Sequence, residues 1–137
     1  MKAFIVDGVR TPIGKFRGSL STLRADDLAA LTIRDLLKRH PNLNVSSVGN
    51  VIFGCANQAG EDNRNVARMA GLLSGLPFTI PAETINVLCA SGMAAVANGS
   101  RILHMGDADL LIAGGVEQMT RAPWVVSKSS QPFGSDI

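Results

Sequence analysis

Ile85-Asn86-Val87-Leu88-Cys89-Ala90-Ser91-Gly92-Met93-Ala94-Ala95-Val96 joins a short β-type run to an apolar helical one, with a cysteine at the joint. A thiol at that place faces the backbone N–H groups of the first helical turn, which have no partner within the helix. The positive end of a helix dipole favours thiolate over thiol, so Cys89 is a candidate nucleophile. The competing reading is a small packed core residue, because free cysteine is among the most buried residue types and buried cysteines are mostly inert. Position within this stretch leaves both readings open.

Outward from the joint, four β-like runs alternate with three helical patterns. Ala3 to Val6 reads as a strand, and Gly8 to Ser21, rich in Gly, Pro and Ser, as a long loop. Ala25 to His40 reads as a helix, with a stripe of Leu28, Ala29, Ile33, Leu36 and Leu37. Asp26 and Asp27 open it, Lys38, Arg39 and His40 close it, and Pro41 prevents continuation; that order matches the helix dipole. Val48 to Cys55 is expected as a strand, Asn57 to Asn63 as a polar loop, and Asn65 to Ser74 as a short helix stopped by Gly75 and Pro77. Ala82 to Val87 is the next strand. Ala90 to Met105 is the next helix, ended by Gly106, and its shortage of polar positions predicts burial nearly all round. Leu110 to Gly115 reads as a buried strand.

This β-α-β-α-β-α-β order predicts an α/β fold, a sheet with helices on both faces. Ligands of such sheets sit at the carboxyl ends of strands. Cys89 directly follows a strand, which favours the nucleophile over the packed-core reading.

Composition agrees with a folded domain and narrows the function. With 137 residues, 46% hydrophobic and 18% charged, the chain can build one core of ordinary size. A net charge of +2, scattered basic residues and 4% aromatics argue against a nucleic-acid partner. The two cysteines, Cys55 and Cys89, do not make a disulfide scaffold, and His40 and His104 stand apart with no metal-ligand spacing, so no metal site is expected. Each histidine reads as an ordinary helix-end residue. The start is too short and too interrupted by Asp7 for a signal peptide, and no run is long enough to cross a bilayer, so the expectation is a cytoplasmic protein with no membrane partner. From Gln118 to Ile137 the pattern changes to turn residues without a period, including Gln131-Pro132-Phe133-Gly134-Ser135-Asp136. Such a stretch suits either a disordered terminus or a chain that is part of a larger one.

Three segments together resemble the amino-terminal part of the thiolases, the acyl-CoA acetyltransferases. Arg10-Thr11-Pro12-Ile13-Gly14-Lys15-Phe16 is similar to their opening signature, Asn86-Val87-Leu88-Cys89-Ala90-Ser91-Gly92-Met93 to their active-site segment, and Ala113-Gly114-Gly115-Val116-Glu117-Gln118-Met119-Thr120 to the segment closing the first core sheet. The resemblance spans nearly the whole chain. It implies a thiolase-like fold, amino-terminal half, with a mixed, mostly parallel sheet. It also implies an incomplete core domain over 1–118 and the start of the family's loop domain over 119–137.

The resemblance further implies that Cys89 carries an acyl group as a thioester, in cleavage of a 3-oxoacyl-CoA by coenzyme A or in the reverse Claisen condensation. Coenzyme A would then be a substrate, with no cofactor bound permanently. Members of the family are dimers or tetramers, so a homodimer or homotetramer is expected, with the contact near 65–74 and the strand at 82–87. The family's other catalytic elements, a Gly-His histidine, a Cys-x-Gly cysteine and an Asn-Glu-Ala asparagine, have no counterpart in this sequence: His40 and His104 do not match, and Cys55, in a different context, reads as a packed strand-end residue. The chain is therefore expected to be a piece that lacks the carboxy-terminal part of the enzyme and is inactive alone.

The loop Gly54-Cys55-Ala56-Asn57-Gln58-Ala59-Gly60-Glu61-Asp62-Asn63-Arg64-Asn65 looks like that of 3-oxoadipyl-CoA thiolases, which form succinyl-CoA and acetyl-CoA. Arg64 or Arg68 could meet a substrate carboxylate, against the plainer reading of a surface or subunit-contact arginine. The alternatives are a biosynthetic acetoacetyl-CoA thiolase, a non-catalytic structural or dimerising module, and a related condensing enzyme such as a ketoacyl synthase. The opening and closing signatures favour a thiolase over the last.

Overall fold

Three helices enclose a small parallel sheet in a computed structural model that describes residues 2–130. The strands are β1 (Asn50–Gly54), β2 (Ala82–Ile85) and β3 (Leu111–Gly115), and the helices are α1 (Ala25–Arg39), α2 (Val66–Ser74) and α3 (Ser91–Met105). Both strand pairings are parallel and the order is β2-β1-β3, with Val51 opposite Ala82 and Ile112. Parallel pairing needs a crossover between strands, and α2 and α3 supply the two crossovers.

Local chemistry sets where the helices start and stop. Asp26 and Asp27 lie in the first turn of α1, and Lys38 and Arg39 in its last, each charge complementing the dipole. The Asn65 side chain caps α2 by accepting from the Arg68 N–H at 3.1 Å. α2 and α3 end on Gly75 and Gly106, both left-handed at φ 94° and 81°, a conformation that glycine adopts without steric cost. His40 caps the end of α1 and pairs with Asp7 at 2.9 Å, and His104 lies in the last turn of α3; both are helix-end residues, as expected.

Alternation along β1 divides the two faces. Val51 and Phe53 face α1 and α2, in a core with Ala29, Ala30, Ile33, Ala67, Ala70, Leu76 and Ile80. Gly54, on the opposite face, lies against the start of α3. The expected α/β arrangement with helices on both faces is therefore present. The α1 stripe is narrower than expected: Ala25, Asp26, Ala29, Ala30 and Ile33 are buried, whereas Leu28, Leu36 and Leu37 are only partly covered.

Four expectations need correction. Ala3 to Val6 forms no strand; Phe4 and Ile5 are 74% and 86% exposed, because a β-prone run becomes a strand only beside a neighbour with free N–H and C=O groups, and no described strand pairs with it. α3 is not buried all round. Only Ser91, Ala95 and Gly99 are, one stripe at four-residue spacing that docks on the sheet, while Met93 and Met105 are 77% and 78% exposed. The strand expected at Leu110 to Gly115 begins at Leu111 and is half-buried, because β3 is an edge of the described sheet. The strand expected over Ala82 to Val87 ends at Ile85, where the chain turns toward Cys89.

Gln131 to Asp136 of the expected turn-rich stretch lie outside the described residues. No helix among the described residues is long and apolar enough to cross a membrane.

Candidate active site

Parallel strands bring their carboxyl ends to one edge, and three loops meet there: 55–63 after β1, 86–90 after β2 and 116–121 after β3. Cys89 sits in the middle loop, two residues before α3, and is exposed. The packed-core reading is thereby removed. A tight turn carries it. Leu88, just before the cysteine, has φ 57°, a left-handed conformation that a non-glycine side chain adopts at a cost of about 1–2 kcal/mol.

Polar side chains on both sides hold that turn. Asn86 Oδ1 accepts from the Leu88 N–H at 3.0 Å. Ser91, buried at the start of α3, accepts from the Val87 N–H at 3.0 Å and donates its hydroxyl to the Leu88 carbonyl at 2.5 Å. The arrangement presents the thiol at the sheet edge, outside the regular elements, which is where a nucleophile can be reached.

The second cysteine is of another kind. Cys55 is buried at the end of β1 and donates to the Asn57 carbonyl at 2.9 Å. Burial, with the charges of Asp62 and Glu117 adding to it, pushes its thiol up to about 12. It stays a neutral packed thiol near neutral pH, in line with its expected role at a strand end.

Carboxylates around Cys55 tie the loops together. Glu117 accepts from the Ala56 and Asn57 N–H groups at 2.7 and 3.0 Å, and Asn57 donates through its amide to the buried Asp62 at 2.7 Å. Glu61 and Arg121 form a two-pronged ion pair, and Gln118 donates to the carbonyls of Leu20 and Leu23. Asp62 and Glu117 were not singled out from the sequence. Their sequence signal is limited to their places in the loop 54–65 and the segment 113–120.

Asp62 yields a pH prediction. Burial, reinforced by Glu117, lifts its carboxyl from the ordinary 3.8 to about 6 against the opposing hydrogen bonds from Asn57 and Cys55. Between about pH 4 and pH 6 the folded chain therefore binds more protons than the unfolded one, so stability falls as pH rises through this window. Asp62→Asn removes the penalty. Its unfolding free energy should exceed that of the parent by about 2 kcal/mol at pH 7.5 and match it at pH 4, as measured by denaturant titration. A variant less stable than the parent at pH 7.5 would contradict this account.

Of the two arginines considered for a substrate carboxylate, Arg68 is already engaged. Its guanidinium donates to the carbonyls of Ile80 at 2.6 Å and Phe78 at 2.8 Å, clamping the connection into β2. Arg64 is exposed on the loop, at φ 61°. No group of three or more His, Cys, Asp or Glu among the described residues is placed to hold a metal ion.

Residues 3–135 match the family described as "Thiolase, N-terminal domain". Over 132 residues, 96% of the chain, it is 58% identical to the 3-oxoadipyl-CoA/3-oxo-5,6-dehydrosuberyl-CoA thiolase of Escherichia coli strain K12 and 54% identical to a beta-ketoadipyl-CoA thiolase of Acinetobacter baylyi. A 3-ketoacyl-CoA thiolase of Yersinia enterocolitica is 42% identical over 87% of the chain. The chain spans about a third of the length of these relatives, 33% of the first two and 31% of the third.

Proposed function

Since the chain belongs to the thiolase family, matching its amino-terminal domain almost throughout, we propose that it supplies the acyl-carrying nucleophile, Cys89, of an acyl-CoA acyltransferase. The observation that carries this reading is an exposed thiol on a strained strand-to-helix turn at the carboxyl edge of a parallel sheet.

In the cleavage direction the Cys89 thiolate adds to the 3-keto carbon of a 3-oxoacyl-CoA. The bond between C2 and C3 then breaks, its electron pair stays on C2, and protonation there releases acetyl-CoA. The acyl group is left on sulfur as a thioester. The thiolate of free coenzyme A attacks that thioester, and Cys89 is regenerated as the new acyl-CoA departs. Sulfur suits both halves, being a strong nucleophile and, in a thioester, a good leaving group. Coenzyme A enters as a substrate rather than a resident cofactor. The acid–base and oxyanion groups come from a carboxy-terminal portion of the enzyme, with residues 119–137 opening its loop domain. The assembly acts as a homodimer or homotetramer in the cytoplasm.

The names of the relatives that are 54% and 58% identical support 3-oxoadipyl-CoA as the substrate, yielding succinyl-CoA and acetyl-CoA. The test is a chimera in which this chain replaces the aligned third of the Escherichia coli relative, assayed with coenzyme A against 3-oxoadipyl-CoA and acetoacetyl-CoA side by side. The chimera should prefer the first by about tenfold or more in kcat/KM, and residues 1–137 alone should show no turnover. A preference for acetoacetyl-CoA would move the assignment to the biosynthetic class. An inactive chimera that folds and assembles would remove the enzymatic reading.

A further inference from the structure

We propose that Asn86 and Glu117 are positioning residues for Cys89, joined in one hydrogen-bonded relay that holds the turn carrying the thiol. The inference rests on the reading of Cys89 as nucleophile.

The relay runs from the end of β3 to the cysteine. The Glu117 carboxylate accepts from the Ala56 and Asn57 N–H groups, one on each oxygen. The carbonyl of the same Ala56 accepts from Asn86 Nδ2 at 3.1 Å. The other end of the Asn86 amide accepts from the Leu88 N–H at 3.0 Å. Both ends of Asn86 and both oxygens of Glu117 are thus used on main-chain groups, and the chain of contacts stops one residue short of Cys89.

Leu88 explains why the turn needs holding. The residue is 71% exposed, so apolar packing does little to fix it, and its left-handed φ of 57° is disfavoured for leucine. What remains is polar: Asn86 on its N–H, and the Ser91 hydroxyl and N–H on its carbonyl. Ser91 is anchored by α3 itself, whereas Asn86 lies in the loop and depends on Ala56, which depends in turn on Glu117. If the relay is cut, Leu88 can leave the left-handed region, and the Cys89 peptide rotates with it. A nucleophile displaced by ~1 Å loses on the order of a hundredfold in rate.

The test uses the chimera described above and four substitutions. Asn86→Ala and Glu117→Leu remove the relay. Asn86→Asp keeps the acceptor for the Leu88 N–H, and Glu117→Gln keeps one of the two main-chain acceptors. The first pair should lower kcat by about tenfold or more with KM within about twofold, and the second pair should recover part of the loss. Cys55 reports on folding, because it reacts with iodoacetamide only if the core opens; any variant in which it reacts is set aside, and its conservative partner decides.

An unchanged kcat in variants with Cys55 protected overturns the relay, as does a loss confined to KM. Should the parent chimera turn over no 3-oxoacyl-CoA, the functional reading fails separately. The relay is then decided by Cys89 alkylation at pH 7 in residues 1–137: a several-fold change in Asn86→Ala and Glu117→Leu sustains it, and parental rates overturn it.

Discussion

Cys89→Ser is expected to abolish acyl transfer in the chimera, lowering kcat by at least ~10³-fold, while leaving the fold intact. The substitution exchanges sulfur for oxygen at an exposed position, so no cavity opens and no core contact is lost. The unfolding midpoint of residues 1–137 should therefore stay within about 2 °C of the parent. The chemistry has no such tolerance. A serine hydroxyl is a poor nucleophile at neutral pH unless a base removes its proton. Within this chain His40 is bonded to Asp7 beyond the end of α1 and His104 to the Ser100 carbonyl within α3, and the acid–base groups proposed for the carboxy-terminal portion would meet a hydroxyl far less acidic than the thiol they serve. An acyl-serine would also be an oxygen ester, less readily opened by a thiol than a thioester. Mass spectrometry after brief exposure to a 3-oxoacyl-CoA should find an acyl adduct on the parent chimera and none on the variant. Retention of more than a tenth of the parental rate would show that another group carries the acyl chain.

Gly54→Ala is the second large effect. Gly54 ends β1 where α3 begins to pack, and a methyl group built on it would overlap the Ser91 carbonyl carbon and the Gly92 nitrogen. These are backbone atoms and cannot swing aside as the end of a side chain can. Either β1 or the whole amino-terminal end of α3 has to move. Overpacking of this kind costs about 1–3 kcal/mol and more when backbone is involved. The same contact adjoins the site, because the displaced Ser91 is the residue that bonds to Val87 and Leu88. Gly54→Ala should thus lower the unfolding midpoint of the chain and reduce kcat in the chimera by about a hundredfold. Gly75→Ala provides the comparison: nothing lies near its Cβ position, so it should destabilise only through its left-handed φ and leave kcat unaltered. Equal effects of the two substitutions on kcat would mean that the approach of Gly54 to α3 does not govern the site.

Much of the architecture was legible because it is written in short-range chemistry. Asp26 and Asp27 against Lys38 and Arg39, and the stops at Gly75 and Gly106, act within one or two helical turns and can be read without knowing the fold. The alternation of strand and helix located the carboxyl edge, and with it Cys89. Errors came where the outcome depends on a distant neighbour. Ala3 to Val6 has the residues of a strand but no described partner, and the apolar surface of α3 says nothing about how much of it a sheet will cover.

The sequence by itself determined the order of elements from α1 onward, the place of Cys89 between a strand and a helix, and the family whose motifs surround it. Only the tertiary structure decided that the thiol is exposed, that Leu88 is held left-handed, that Arg68 is committed to two carbonyls, and that Glu117 reaches Ala56 across 61 positions of chain. The division has a physical origin. Helix ends and strand propensity are set by residues a few positions apart, whereas a hydrogen bond between loops forms only once parallel strands have brought their carboxyl ends to the same edge.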